Sequence, residues 1–162
     1  MSGVIQVRDH LLEELNLVVR TVESLLAKIQ PHEWSYRPAD NMRTLLELAH
    51  HLVSIPASDL AILQEKTQTE VEQVEAQVSE IRDPLALAAK FRTNYELLQT
   101  YMVSLTEDEL LNKSTKAFYL DHSIVQIKWL IEIVTHSFHH RSQLYNYLKQ
   151  SGHELQFYML YS

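Results

Sequence analysis

The chain has no cysteine, which excludes disulfides, thiolate metal ligands and a cysteine nucleophile together. Any transition metal must then be held by His, Asp or Glu, the harder end of the ligand range. Glycine and proline are scarce, with 2 and 4 in 162 residues, too few for the many tight turns of an antiparallel β fold. Long helices suit such a composition. No apolar run approaches the roughly 20 residues of a membrane span, and the N-terminus lacks the basic and apolar regions of a signal peptide. A cytoplasmic protein without a membrane partner is the expectation. Positive charge is in deficit, the formal net charge being -7. That balance argues against a general affinity for phosphate backbones, so no nucleic-acid partner is expected.

What is present is apolar and periodic. Hydrophobic residues make up 46% and charged residues 22%, the balance of a globular chain, and the length suits one domain over residues 1–162. From Val4 to Ile29 apolar residues recur at steps of three and four, predicting an amphipathic helix of about seven turns that ends at Pro31. A loop, "PHEWSYRPADN", follows, and Asn41 is suited to cap a second helix starting near Met42. Pro56 lies inside that helix and should kink it or end its first half. The polar stretch "KTQTEVEQVEAQVSEIRD" reads as a loop with some helical content. Asp83 with Pro84 starts a third long helix, "TEDE" (106–109) is a capping box for one short further turn, and "LNKSTKAFYLDHS" is irregular. Ser123 can cap a last helix over 124–150, closed by Gly152. The fold class is therefore all-α, an antiparallel four-helix bundle.

The histidines, 9 in all, are the residues with chemistry to offer. On a wheel of the last helix, one ladder runs Trp129, Ile133, His136, His140, Leu144, Tyr147. A second runs Ile127, Ile131, Val134, Phe138, Arg141, Tyr145, Leu148, and His139 belongs to the remaining polar face. Two apolar ladders exceed what one bundle core needs, so a dimer interface along this helix is expected. Arg141 reads as a structural contact. On the second helix, His51 flanks the apolar stripe with Leu48 and Ile55, whereas His50 points away with Leu46 and Val53.

His136 and His140, an (i, i+4) pair, can therefore converge with His51 from a neighbouring helix. Three neutral imidazoles suit Zn²⁺ or another divalent transition metal, with one position open to water or a substrate heteroatom. The bland alternative is that these are hydrogen-bonded packing residues. Glu47, one turn before His51, can orient it or simply face solvent. Asp59 reads as a polar contact near a helix end, and no general base is evident.

The segments "WSYRPADNMRTLLELAHHL" (34–52) and "HSFHHRSQLYNYLKQSG" (136–152) together resemble the DinB/YfiT-like family of bacterial four-helix-bundle proteins. That family has a proline-containing entry loop, a helix with E-x-x-x-H-L, and a late helix reading H-x-x-x-H-R-G-Q-L. Ser142 stands here in place of the glycine, on the outer face. The resemblance implies that the metal ligands are His51, His136 and His140, with His50 the competitor for the first. It also implies zinc or nickel, a homodimer, and relatives that act as metal-dependent hydrolases or as transferases using low-molecular-weight thiols. A small-molecule substrate, with such a thiol as partner, is then expected. The competing classes are a non-catalytic divalent-metal-binding protein and a purely structural dimeric bundle.

Overall fold

The computed structural model describes residues 2–162. Four long helices form the frame: α1 (Gly3–Leu26), α2 (Leu45–Leu63), α4 (Pro84–Ser104) and α6 (Gln126–Gln150). Two short helices, α3 (Gln68–Ala76) and α5 (Glu107–Asn112), lie in the connections, and β1 (Ser114–Thr115) pairs antiparallel with β2 (Ile124–Val125). The helix α1 packs on α4 and α6, and α2 packs on the same two. The helices therefore circle the core in the order α1, α4, α2, α6, as a four-helix bundle requires. Leu15, Leu25, Leu48, Leu52, Phe91, Leu98 and Met102 fill the centre and are essentially inaccessible to water.

Helix ends show where local signals were sufficient. Asp83 accepts from the backbone N–H groups of Leu85 and Ala86, and Thr106 and Glu109 form the expected capping box. Gly152 closes α6 with φ +104, while its N–H and that of His153 bond back to Lys149 and Leu148. This is the left-handed turn that glycine adopts without strain.

Other ends differ from expectation. α1 stops at Leu26 rather than at Pro31, because Gln30 before the proline is extended at φ -93, ψ 150 and cannot be helical. α2 begins at Leu45, not Met42, and its cap is Thr44 rather than Asn41. Thr44 Oγ1 accepts from Glu47 N at 3.2 Å, and Glu47 Oε2 accepts from Thr44 N at 2.7 Å. The carbonyls of Tyr36 and Trp34 take the N–H groups of Leu45 and Leu46, so the entry loop itself completes the helix start. Residues 68–76, read as mostly loop, form α3 behind a Thr67–Glu70 capping box. α6 starts at Gln126 after Val125, with no side-chain cap from Ser123. The β pair does that work: Gln126 N donates to Lys113 O, and Trp129 Nε1 donates to Thr115 O at 3.1 Å.

Pro56 neither ends α2 nor leaves it unsupported. A proline removes the N–H that would pair with the carbonyl four residues earlier, here Leu52 O, and side-chain bonds brace the turns on either side. Asn94 of α4 donates to Val53 O at 2.8 Å, Ser54 to His51 O at 2.8 Å, and Ser58 to Ser54 O at 3.1 Å. The helix therefore runs on to Leu63, carrying His51 before the proline and Asp59 after it.

Candidate metal centre

His51 comes from the first half of α2, and His136 and His140 from one face of α6, the helix α2 packs against. Their Nε2 atoms meet at a single point. The separations are 3.3 Å for His51–His136, 3.0 Å for His51–His140 and 2.9 Å for His136–His140. Hydrogen bonds alone cannot satisfy this triangle. His140 Nδ1 lies 2.7 Å from Gln143 Oε1, so the Nδ1 proton is donated there and Nε2 presents a lone pair. If both other nitrogens carried protons, N–H would face N–H, and with one proton or none, lone pair would face lone pair. One cation satisfies all three lone pairs together. Metal–nitrogen bonds of about 2.0–2.1 Å put neighbouring ligand nitrogens roughly 3 Å apart, which is what the three imidazoles offer. The donor set therefore fits a divalent ion that takes nitrogen ligands.

The electrostatics favour the ligand form. Burial holds His51 down at about 3, with the charge of Arg43 and the other imidazoles adding to it. Burial likewise lowers His140 to about 4, against a smaller opposing effect of the Gln143 hydrogen bond. His136 is lowered for the same first reason, although it is the most open of the three. All are neutral at physiological pH, as a ligand must be.

The neighbouring residues separate cleanly. His50 turns to the other side of α2, where Nε2 meets Ile81 O at 2.8 Å, so it secures the connection before α4 and is no competitor for His51. His139 is exposed, as the wheel indicates. Arg141 is buried, donating to Thr21 Oγ1 at 3.1 Å and Leu160 O at 2.8 Å, and stacks on Phe138. It ties α6 to α1 and the C-terminal turn. Glu47 is committed to its capping box and to Arg37 and does not orient His51.

Three residues of the surroundings escape a linear reading. Gln143 orients His140 from three positions away; the glutamine within the H-x-x-x-H-R-S-Q pattern was the available signal. Arg43, on the entry loop, lowers the imidazoles through its charge, and its carbonyl accepts from Tyr147 Oη at 3.0 Å. It lines a polar pocket of about 430 Å³ with Asn41, Gln143 and Tyr147. Asp59 is not the expected helix-end contact. It lines a second pocket, with His51 and His136 at the other end.

Comparison with known proteins agrees with this architecture. The DinB family model matches residues 1–161. The crystal structure of a DinB family member from Exiguobacterium sibiricum superposes with a TM-score of 0.78 at 26% identity, over 98% of this chain and 99% of that one. A DinB-like protein of Bacillus subtilis gives 0.64 at 25% identity, over 94% and 96%. A search of curated proteins finds no match. The colibactin self-resistance protein ClbS shares the fold, with a TM-score of 0.62 at 13% identity over 88% and 95% of the two chains, and its structure is a complex with dsDNA. That finding overturns the expectation of no nucleic-acid partner. Net charge sums the whole surface and leaves room for local cationic patches, so it does not exclude DNA for this fold. Whole-length family match, bundle architecture and the histidine pattern on α2 and α6 lead to one conclusion: the chain belongs to the DinB family.

Proposed function

We propose that the chain is a metal-dependent enzyme with His51, His136 and His140 as ligands of one divalent ion, zinc or nickel. The reaction proposed is transfer of a low-molecular-weight thiol to a small electrophile, with hydrolysis the related alternative on the same centre. The observation that carries the reading is the convergence of three Nε2 atoms within 2.9–3.3 Å in a DinB chain. A bound divalent ion would supply Lewis acidity, lowering the pKa of a thiol or water held beside it. The chain's own residues supply orientation. Gln143 keeps the His140 lone pair turned inward, and with Arg43, Asn41 and Tyr147 it lines a polar pocket on that side of the centre. The reading includes a homodimer in the cytoplasm, with exposed Ile131 of α6 at the contact; light scattering tests the dimer.

Metal analysis of untagged protein is the deciding measurement. Near-stoichiometric metal is expected in the parent, with loss in His136→Ala and His140→Ala; full occupancy in both variants would overturn the ligand assignment. Consumption of free thiol in the presence of small electrophiles tests the reaction. Bound metal with no turnover across thiols, electrophiles and esters would instead make the protein a non-catalytic metal binder. Double-stranded DNA belongs in the same ligand panel because ClbS has been solved with it. Binding that weakens steeply with salt would reveal phosphate contacts.

A further inference from the structure

The histidines occupy one end of a pocket of about 230 Å³, and the other end is chemically distinct. Asp59 lies eight residues beyond His51 on the same side of α2, about 12 Å along the helix axis. It is too distant to be a ligand or to touch an atom reacting at the histidines. Asp59 is half-buried, and its exposed part opens into the pocket. It has no hydrogen bond or ion pair among the described residues, and no Lys or Arg lines the pocket. Glu75 of α3 stands at the rim, and Glu132, paired with Lys128, adds negative charge. Burial and these two carboxylates push Asp59 up to about 7. A half-buried carboxyl gains from a cationic partner, and the pocket lining supplies none. The rest of the lining is mostly apolar, interrupted by Ser58. Ile55 and Ile62 line the floor, and Phe118 and Tyr119, edge to face with ring centroids 5.3 Å apart, stand exposed at the mouth. Exposed aromatics beside a pocket are available to a ligand rather than to the core.

We infer that this pocket selects a basic, amine-bearing substrate: its reacting end lies at the histidines, its apolar body between Ile55 and Phe118, and its ammonium group between Asp59 and Glu75. The inference deepens the proposed function and rests on its three-histidine centre. An ammonium would give Asp59 the partner the fold withholds. A carboxylate in the same place would meet like charge. Asp59 is then a specificity residue, acting at the far end of the substrate.

Three thiols of matched length test it: aminohexanethiol, hexanethiol and mercaptohexanoic acid, titrated into cobalt-loaded protein and read by thiolate-to-cobalt absorption. The aminothiol should bind about tenfold more tightly than hexanethiol, the ratio one charge-assisted contact gives, and the acid most weakly. Asp59→Asn should abolish the preference of aminohexanethiol over hexanethiol, and Glu75→Gln should reduce it. Equal affinity for the three probes, or a preference that persists in Asp59→Asn, overturns the inference. If no thiol produces the absorption, the metal-thiol reading has failed, and calorimetry of metal-free protein with phenylbutylamine and phenylbutanol decides the pocket separately. Amine-selective binding lost in Asp59→Asn supports it there, and equal binding of the two refutes it.

Discussion

His140 has both ring nitrogens engaged. Nδ1 meets Gln143 Oε1 and Nε2 faces the two other imidazoles, so Gln143 decides which nitrogen carries the proton. Replacing Gln143 with Leu should weaken divalent-metal affinity by about 10- to 100-fold, the usual cost of losing such a support, with helical content unchanged; competition against a chelating dye measures it. Protons compete for the same lone pairs. Folding lowers His51 to about 3 and His140 to about 4 from an ordinary 6.5, so the unfolded chain binds more protons throughout that interval. Metal-free protein should therefore hold its full stability above pH 6.5 and lose it as pH falls through 6.5 toward 4 and 3. Urea midpoints that stay level across that window would contradict the burial of these rings.

At the scale of the element, α2 matters most because it carries His51 on one side of Pro56 and Asp59 on the other. Its continuity depends on a neighbour. Asn94, buried on α4, donates to the Val53 carbonyl one turn before Ala57, next to the proline. Asn94→Leu keeps much of the shape and removes this bond between α4 and α2. A loss of about 0.5–1.5 kcal/mol in denaturant unfolding is expected, and metal affinity should fall with it as the two halves of α2 shift. A variant as stable as the parent would mean that water or a relaxed helix takes over the bond. The entry loop works in a similar way, since the carbonyls of Trp34 and Tyr36 complete the start of α2 and bring Arg43 beside the imidazoles.

For the whole molecule, the centre joins α2 to α6 across the bundle, so a ligand that binds only the folded arrangement stabilises all of it. Zinc or nickel at a hundredfold excess over its dissociation constant should add about 2.7 kcal/mol to unfolding. The melting temperature should rise on metal addition, fall with chelator, and respond to neither in His51→Ala. A parent protein indifferent to chelator would favour the structural-bundle reading of the histidines. No helix among the described residues is long and apolar enough to cross a membrane.

Much of this was legible in the sequence because it depends on neighbours a few residues away. The long helices follow from three- and four-residue apolar steps, the Asp83 and Thr106 caps from side chains that bond backbone groups within one turn, and the placement of His51, His136 and His140 on inward ladders from helical period alone. The ladder even separated His139 from His140. What the sequence could not determine depends on residues brought together by packing. Thr44 outcompeted Asn41 because Tyr36 and Trp34 lend their carbonyls to the same helix end. The β pair, not Ser123, starts α6. Asp59 looked like a polar contact near a helix end until α3 and the 118–119 segment closed a pocket over it. Local hydrogen bonding and periodicity set the elements and the faces of the histidines. Only the tertiary structure decided that their nitrogens meet at one point and what lies beside them, because those distances depend on how α2 and α6 pack and not on either helix alone.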